Sequence, residues 1–193
     1  MESEVEIPPE ASPDPRARFV AGALERLEGP LVRYALGLTG DLETARDVVQ
    51  DAFLRLWEQP AGTVDGHVAR WLFTVCRNRA LDVQRKANRM SPLTQTEWDA
   101  RPAPDPSPAD AASTRDTLNQ VAGLLADLPF NQREVVRLKF QNQLSYQEIA
   151  DITALSVGNV GFLLHTALRT LRKRLQHLER ESSATPCPAT PDA

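Results

Sequence analysis

The sequence predicts an all-α protein made of two small helical domains joined by a proline-rich linker. Large apolar residues recur at helical spacing in two parts of the chain, and no alternating apolar pattern is long enough to predict a strand. Of the 15 prolines, 12 lie in three segments, within residues 8–15, within residues 92–108 and in the last eight positions. Because proline interrupts helices, these segments mark boundaries. The predicted divisions are a disordered acidic N-terminus over residues 1–15, a helical domain over 16–90, a flexible linker over 91–115, a second helical domain over 116–180 and a disordered tail over 181–193.

The composition is typical of a globular protein rather than a disordered or fibrous one, with 41% hydrophobic and 25% charged residues. No apolar run approaches the roughly 18 residues that a membrane span needs. The N-terminus is acidic and rich in proline, where a signal peptide would be basic and then apolar. We therefore expect a cytoplasmic protein with no membrane partner. The two cysteines, Cys76 and Cys187, have neither a disulfide pattern nor a metal-ligand spacing.

Charge alternates along the chain, although the net charge is only −4. Residues 1–65 carry a net −7, residues 66–89 a net +5, residues 90–127 a net −4 and residues 128–181 a net +3. Electrostatic attraction acts locally, so two basic islands separated by an acidic spacer suit a protein that touches a polyanion at two places.

The first domain is predicted to contain four helical segments. Residues 18–28 and 30–38 are two amphipathic pieces separated at Gly29, with Pro30 placed for a first helical turn. Asp41 is a predicted N-cap for the third segment. The apolar stripe of that segment is Ala45, Val48, Val49, Ala52, Phe53, Leu56 and Trp57. Its opposite face carries Asp47, Gln50, Asp51 and Leu54. This acidic patch with one leucine is either a solvated face or a surface for a basic partner.

The fourth segment is a predicted helix over residues 67–89 with an apolar side and a basic side. The apolar stripe is Val68, Trp71, Leu72, Val75 and Cys76, and the basic side is Arg70, Arg77, Arg79, Arg85, Lys86 and Arg89. The aromatic and amide residues interleaved with the arginines are Trp71, Phe73, Asn78 and Gln84. Basic groups that track a backbone, mixed with groups that stack on or read bases, indicate nucleic-acid binding. A solvated arginine-rich face is the alternative.

The second domain contains the spacing of a helix-turn-helix unit. Residues 128–140 are apolar at helical spacing, and Ser145 with Glu148 has the capping-box spacing that begins a short helix to about residue 152. A three-residue turn follows, and Ser156 is a second N-cap before a long helix to about residue 178. In DNA-binding units of this kind the second helix enters the major groove. A helical hairpin with no role in DNA binding would share the same caps and stripe.

Enzyme classes are poorly supported by the sequence. His67, His165 and His177 are scattered, no cysteine lies near a histidine, and neither a glycine-rich phosphate loop nor a paired-carboxylate spacing is present. We therefore expect no catalytic residue, no metal and no cofactor.

Three strings resemble the sigma-70 family of bacterial RNA polymerase initiation factors, in its extracytoplasmic-function group. GDLETARDVVQDAFLRLW, residues 40–57, resembles the family's region 2.2. RWLFTVCRNRALDVQRKANR, residues 70–89, resembles regions 2.3 and 2.4, so that the first domain is region 2-like. LPFNQREVVRLKFQNQLSYQEIADITALSVGNV, residues 128–160, resembles region 4, so that the second domain is region 4-like.

This resemblance implies a transcription initiation factor that binds core RNA polymerase and promoter DNA and has no enzymatic activity. The first domain would melt the −10 element, the second would bind the −35 element as duplex, and the linker would thread the polymerase channel. An anti-sigma factor is a further candidate partner. Two alternatives stay open: a sigma-like adaptor that does not read promoters by itself and, with less support, an enzyme of unknown type.

The resemblance also assigns site residues. Docking on the clamp helices of the polymerase's largest subunit is implied for Asp47, Gln50, Asp51 and Leu54. Binding of the −10 element is implied for Thr63, Asp65, Trp71, Arg77, Asn78, Arg85 and Arg89, with the loop at residues 59–66 forming a pocket for a flipped base. Asp82 either orients an arginine or contacts a base. Binding of the −35 element is implied for Ser156, Asn159, Gly161, Phe162, His165 and Arg169.

The predicted recognition helix departs from the family pattern. The family's helix commonly continues with threonine, lysine, serine and arginine, whereas this chain has Gly158, Gly161 and Phe162 there. Either the domain reads a different −35 sequence, or its DNA affinity is weak and protein contacts supply the rest.

Overall fold

The computed structural model describes residues 14–60, 62–90 and 122–183, with side chains omitted at 88–90 and 179–183. Its elements are α1 (Pro15–Thr39), α2 (Leu42–Glu58), α3 (Val68–Met90), α4 (Phe130–Val136), a π-helical turn (Arg137–Gln141), α5 (Tyr146–Thr153) and α6 (Val157–Ser183). Residues 122–126 are also helical. No strand occurs in these ranges, and the all-α prediction is confirmed. The predicted linker and most of the two predicted disordered ends lie outside the described residues.

Helix α1 is one continuous helix, so the predicted break at Gly29 is wrong. Asp14 caps its start by accepting a hydrogen bond from the Arg16 amide at 3.0 Å, and the helix ends at Gly40, whose φ of 72° is left-handed. Pro30 lies inside the helix, where a proline typically costs about 3 kcal/mol. The buried face of α1, which carries Ala23, Leu31, Tyr34, Ala35 and Leu38, runs through both sides of Pro30 without interruption. Packing of this face against α2 and α3 offsets the loss, a long-range effect that local sequence does not reveal.

Helices α2 and α3 complete the core of the first domain. The predicted N-cap of α2 is confirmed, because Asp41 accepts a hydrogen bond from the Thr44 amide at 2.8 Å. The predicted apolar stripe of α2 is buried except for Trp57, which is exposed beneath the guanidinium of Arg16 at 5.7 Å from the ring centroid. On α3, Leu72 and Cys76 are buried as predicted.

Helices α5 and α6 form the predicted helix-turn-helix. The capping box of Ser145 and Glu148 is complete, and Ala154 makes the turn in the left-handed conformation with a φ of 58°. Ser156 accepts a hydrogen bond from the Asn159 amide at 3.2 Å, as expected for the N-cap of α6. Helix α6 extends to Ser183, beyond the predicted end near residue 178.

Within the described ranges, no single helix is long and apolar enough to cross a membrane. The pair Tyr146–Thr153 and Val157–Leu178 reaches the required length and apolar composition only when both helices are counted together across a 103° bend.

Candidate nucleic-acid and protein interfaces

The four residues predicted to dock on polymerase lie together on the outer face of α2. Asp47 and Gln50 are exposed, and the side chain of Leu54 is 55% exposed. Asp51 is partly engaged already, because its Oδ2 accepts a hydrogen bond from Arg79 Nε at 2.7 Å. This face is therefore accessible, with one carboxylate shared between α2 and α3.

A groove of about 560 Å³ runs beside this face, between α1 and α2. Its apolar lining is Leu24, Val32, Val49 and Phe53, and its polar rim is Glu28, Arg33, Arg46 and Gln50. The sequence pattern did not predict this groove, because the apolar residues that line it belong to two helices and were assigned to the core. Gln50 connects the groove to the predicted docking residues.

The loop between α2 and α3 borders a second cavity, of about 320 Å³. Gly62 and Gly66 adopt left-handed φ values of 82° and 77°, which a residue with a side chain rarely adopts. Thr63 and Asp65, both predicted to contact the −10 element, are exposed there. The start of α1 also lines this cavity through Arg16, which donates a hydrogen bond to the Gln59 carbonyl, and through Phe19. The predicted pocket was limited to the loop, so the contribution of α1 was not predicted.

Helix α3 presents part of its predicted DNA-binding face to solvent. Asn78 is exposed, and the side chain of Arg85 is 71% exposed while it donates a hydrogen bond to Asp82 Oδ1 at 3.1 Å. Asp82 thus orients an arginine, the first of its two predicted roles. Trp71 is half-buried against the core. The side chain of Arg89 lies outside the described residues.

Two residues interpreted as nucleic-acid contacts instead face inward, so that interpretation is wrong for them. Phe73 is buried and packs edge-on against Tyr34, with ring centroids 5.3 Å apart. Gln84 donates a hydrogen bond to the Leu38 carbonyl. Both side chains contact α1, whose continuous course past Pro30 was not predicted.

Arg77, predicted to hold −10 DNA, bonds a carboxylate of the second domain. Its Nε and Nη2 donate to Glu134 Oε1 and Oε2 at 2.8 and 3.2 Å. The hydroxyl of Tyr34 donates to Glu134 Oε1 at 2.8 Å. The Glu134 side chain is 2% exposed and that of Arg77 is 15% exposed, so the ion pair is largely removed from water.

Burial and the contacts with Glu134 together shift the pKa values of Tyr34 and Arg77. Burial, together with the adjacent Glu134 carboxylate, raises the pKa of Tyr34 well above its ordinary value, which keeps the hydroxyl protonated and able to donate. Burial lowers the pKa of Arg77, but its hydrogen bonds and charge interaction with Glu134 outweigh burial and raise the pKa above its ordinary value. Tyr34 and Arg77 therefore both keep the protons that they donate in these hydrogen bonds.

Two further contacts join the domains. Arg137 Nη1 donates to the Gly37 carbonyl at 2.8 Å, and a Cβ added at Gly37 would lie 2.0 Å from that same nitrogen. At the rim, Arg70 Nη1 lies 2.5 Å from Asp151 Oδ2. We call these contacts and the Glu134 cluster the domain junction; its residues are Tyr34, Gly37, Arg70, Arg77, Glu134, Arg137 and Asp151. The sequence pattern did not predict a role for Tyr34, Gly37, Glu134, Arg137 or Asp151. The one signal for them was a glutamate within the apolar run at residues 128–140.

The recognition helix α6 is largely open to solvent on its predicted DNA-binding side. The exposed residues there are Ser156, Asn159, Phe162, His165 and Arg169, and the side chain of Phe162 is 66% exposed. Gly161 instead faces α5, where an added Cβ would lie 3.8 Å from Tyr146 Cε2. The basic residues of α6 begin only at Arg169, two turns after Phe162.

The described residues hold no group of three or more histidine, cysteine or acidic side chains that could bind a metal. Cys76 is buried, and burial raises the pKa of its thiol to about 12. The thiol is therefore protonated at neutral pH and is a poor nucleophile.

The chain is similar to known proteins over both domains. The sequence family described as Sigma-70 region 2 matches residues 23–90, and the family described as Sigma-70, region 4 matches residues 118–171. The ECF RNA polymerase sigma factor SigL of Mycobacterium tuberculosis is 38% identical over 152 residues, which cover 77% of this chain and 84% of that protein. The ECF RNA polymerase sigma factor SigM of Bacillus subtilis is 28% identical over 148 residues, covering 72% of this chain and 85% of that protein.

Two solved structures share the fold. The sigma factor RpoE in complex with the anti-sigma factor NepR, from Bartonella quintana, aligns with a TM-score of 0.62 at 24% identity over 82% of this chain and 97% of that one. CnrH in complex with the cytosolic domain of CnrY aligns with a TM-score of 0.54 at 23% identity over 83% of this chain and 89% of that one.

Proposed function

Since this chain belongs to the sigma-70 family of RNA polymerase sigma factors, in its extracytoplasmic-function group, we propose that it directs core RNA polymerase to promoters by dividing their recognition between its two domains. The observation that carries this proposal is the order of the two family regions, each coinciding with one helical domain. A region 2 domain with a basic α3 precedes a region 4 domain with an exposed recognition helix. No observation favours the adaptor alternative.

The first domain is proposed to open the −10 element through α3 and the loop before it. Holding a base outside the duplex stack costs a few kcal/mol, so the protein must supply a pocket and polar contacts in return. The cavity that Asp65 lines has both apolar walls, from Phe19, Val20 and Leu56, and polar ones, from Arg16 and Gln59. Asn78 presents an amide that can both donate to and accept from a base edge. Arg85 and Arg89 are proposed phosphate contacts.

The second domain is proposed to bind the −35 element as duplex through α6. Asn159 and His165 offer hydrogen bonds to base edges, and Phe162 is placed to touch a thymine methyl group in the major groove. Arg169 and the basic residues after it suit phosphates. Because the first turns of α6 lack basic residues, we propose that the free domain binds DNA weakly.

The outer face of α2 is proposed to dock on the clamp helices of polymerase. Asp47 and Gln50 offer polar contacts around the exposed Leu54, and the adjoining groove adds apolar area. An acidic face suits a basic partner helix and favours its correct approach. Asp51 contributes to this surface when its carboxylate leaves Arg79 for the partner, or binds the partner while it keeps the bond to Arg79.

We also propose the remaining properties that the family implies. The chain has no catalytic activity of its own, acts in the cytoplasm beside polymerase, and passes its linker, residues 91–115, through the polymerase channel. An anti-sigma factor is a proposed partner, because the sigma factor RpoE, which shares this fold, was solved in complex with the anti-sigma factor NepR.

Run-off transcription with core polymerase on a library of randomised promoters tests the proposal. We expect the chain to bind core polymerase and to select templates with defined −10 and −35 elements. Binding to core polymerase without promoter-dependent transcripts would instead support the adaptor alternative, and absence of both would contradict any sigma function.

A further inference from the structure

The groove between α1 and α2 combines an apolar lining with two arginines that no other described residue engages. Arg33 of α1 and Arg46 of α2 are exposed, and among the described residues neither has a hydrogen-bond or ion-pair partner. Glu28 is the one acidic residue of the lining, so two arginines and one glutamate give it a net charge of +1. The apolar side chains of the lining are Leu24, Val32, Val49 and Phe53. The groove therefore suits an occupant that is both apolar and acidic.

The 13 residues that precede Asp14 have this composition. Their sequence is MESEVEIPPEASP, with four glutamates and no basic side chain, and it lies outside the described residues. Val5 and Ile7 alternate with Glu4 and Glu6. In an extended chain successive side chains point to opposite sides, so this pattern places two apolar side chains on one side and two carboxylates on the other.

The length of this segment matches the position of the groove along α1. A proline-rich chain advances about 3.1 Å per residue, so Ile7 and Val5, seven and nine residues before Asp14, can lie about 22 and 28 Å from it. An α-helix rises 1.5 Å per residue, so Leu24 and Arg33, ten and 19 residues after Asp14, lie about 15 and 29 Å along α1. A segment that runs back along α1 therefore reaches the groove.

We propose that residues 1–13 fold back along α1 and dock in this groove in the free chain. Val5 and Ile7 then contact the apolar lining, and the carboxylates of Glu4 and Glu6 lie beside Arg33 and Arg46. The docked segment closes the groove to another partner. Because the groove adjoins the outer face of α2, the segment competes with the clamp helices of polymerase, a consequence that rests on the proposed function.

The cavity beside the loop between α2 and α3 is nearer to Asp14 but matches an acidic segment less well. Its charged lining residues are Asp14, Arg16 and Asp65, which sum to −1. Arg16 is also engaged already, because it donates a hydrogen bond to the Gln59 carbonyl and lies over the ring of Trp57. Repulsion between like charges therefore favours the groove over this cavity.

The first test places a nitroxide spin label on the segment of the full-length chain. Ser3→Cys supplies the labelled thiol in a Cys187→Ser background. Cys76 stays unlabelled, because it is buried and its thiol has a pKa of about 12. The label broadens the methyl NMR signals of the residues that it approaches.

The methyl signals of three valines distinguish the possible positions of the segment. Val32 and Val49 line the groove, whereas Val20 lines the cavity beside the loop and is nearer to Asp14 along α1. We expect stronger broadening at Val32 and Val49 than at Val20. Stronger broadening at Val20 would overturn the proposal, because both an undocked segment and one that enters the nearer cavity give that result.

Two sets of variants test the contacts on each side. Val5→Ser with Ile7→Ser removes the apolar side chains of the segment, and Arg33→Gln with Arg46→Gln removes the positive charges of the groove. Each pair should abolish most of the broadening at the two groove valines, with unchanged helicity by circular dichroism.

A matched control keeps the change in net charge and moves it away from the groove. Arg26→Gln with Arg55→Gln removes one exposed arginine from α1 and one from α2, neither of which lines the groove. We expect the broadening of the wild-type segment. An equal loss in this control would show that the segment responds to the net charge of the domain, and would refute docking in the groove.

The competition with polymerase is measured with the segment variant. Val5→Ser with Ile7→Ser should bind core polymerase about threefold more tightly, the gain when the fraction of chains with an open groove rises from a third to nearly all. A synthetic peptide of residues 1–13 at about 1 mM, the effective concentration that a short tether supplies, should reverse this gain. Wild-type affinity in this variant would refute the competition.

The spin-label experiment separates this inference from the proposed function, because it needs no polymerase. If the wild-type chain drives promoter-dependent transcription but the label leaves Val32 and Val49 unbroadened, only the inference fails. If the wild-type chain neither binds core polymerase nor drives transcription, the proposed function fails, whichever valines the label broadens.

Discussion

The two helices proposed to bind DNA differ in what their basic residues already contact. On α3, each of the four arginines with a described side chain bonds a carboxylate: Arg70 with Asp151, Arg77 with Glu134, Arg79 with Asp51, and Arg85 with Asp82. On α6, the side that we propose faces DNA begins with uncharged residues and is open to solvent. A run of arginines in sequence is therefore not a measure of free positive charge. We expect the isolated chain to bind duplex DNA poorly at physiological salt, because one helix is charged but occupied and the other is open but nearly neutral.

The largest effect is expected at Asp51, because its ion pair with Arg79 of α3 lies on the proposed docking face. Asp51→Arg combined with Leu54→Ala breaks the bond to Arg79 and reverses a charge on the face that we propose docks on polymerase. Like charges at an interface cost several kcal/mol, so affinity for core polymerase should fall by more than about a hundredfold. Competition against the wild-type chain for core polymerase measures this. The fold should survive, because both side chains lie off the buried stripe, and normal competition by the folded variant would show that the docking face is elsewhere.

The next largest effects distinguish the bases that α3 is proposed to contact from those that α6 is proposed to contact. Asn78→Ala removes an amide that we propose reads a base edge, a change worth about 1 to 3 kcal/mol, and should impair opening of the −10 element in permanganate footprinting. Phe162→Ala and His165→Ala should leave opening intact and shift the −35 preference in a randomised promoter library. An unaltered library preference in all three variants would mean that these side chains do not read the promoter directly.

A smaller effect is expected from the cap of the helix-turn-helix, which supports α6 without touching DNA. Ser145→Ala removes a capping-box partner and should lower the free energy of unfolding by about 1 kcal/mol, measured by urea denaturation. Hydrogen bonds from Ser145 hold the pKa of Glu148 below its ordinary value. The stability they provide is present above the ordinary glutamate pKa and is lost as pH falls through the lowered one. The variant should therefore lose less stability on acidification than the wild-type chain does, and an equal loss in both would place the acid sensitivity elsewhere.

The smallest effect compares one phosphate contact on each helix. In the complex with polymerase, Arg85→Ala should flatten the salt dependence of binding by about 0.7 if α3 holds a single strand, and Arg169→Ala by about 0.9 if α6 holds a duplex. Both should weaken binding about evenly across sequences. Sequence-dependent losses would indicate that these arginines read bases.

Local signals predicted the parts of the structure that local chemistry determines. The caps at Asp41, Ser145 and Ser156 were read correctly because each bonds an amide within three residues. The break at Gly29 was wrong because packing against two other helices decides the course of α1. The inward positions of Phe73 and Gln84 were not predicted for the same reason, because both side chains contact α1.

The domain junction was beyond the reach of the sequence pattern for a different reason. Glu134 and Arg77 are 57 residues apart, and Glu134 and Tyr34 are 100 apart. Hydrogen bonds across such separations depend on how two domains meet, which neither periodicity nor spacing encodes. The exposure of Asp47, Gln50 and Leu54 on α2 could be predicted, because the face that an amphipathic helix turns to solvent follows from its own period. The roles assigned to these residues stay predictions.

The buried thiol of Cys76 gives the first domain an intrinsic kinetic reporter. Because the thiol is enclosed by the helical core and its pKa is raised to about 12, alkylation requires the core to open first. When reclosing is faster than reaction, the labelling rate equals the intrinsic thiol rate multiplied by the opening equilibrium constant. In a Cys187→Ser background, which leaves one thiol in the chain, that rate would report the local opening free energy of the first domain separately from the separation of the two domains.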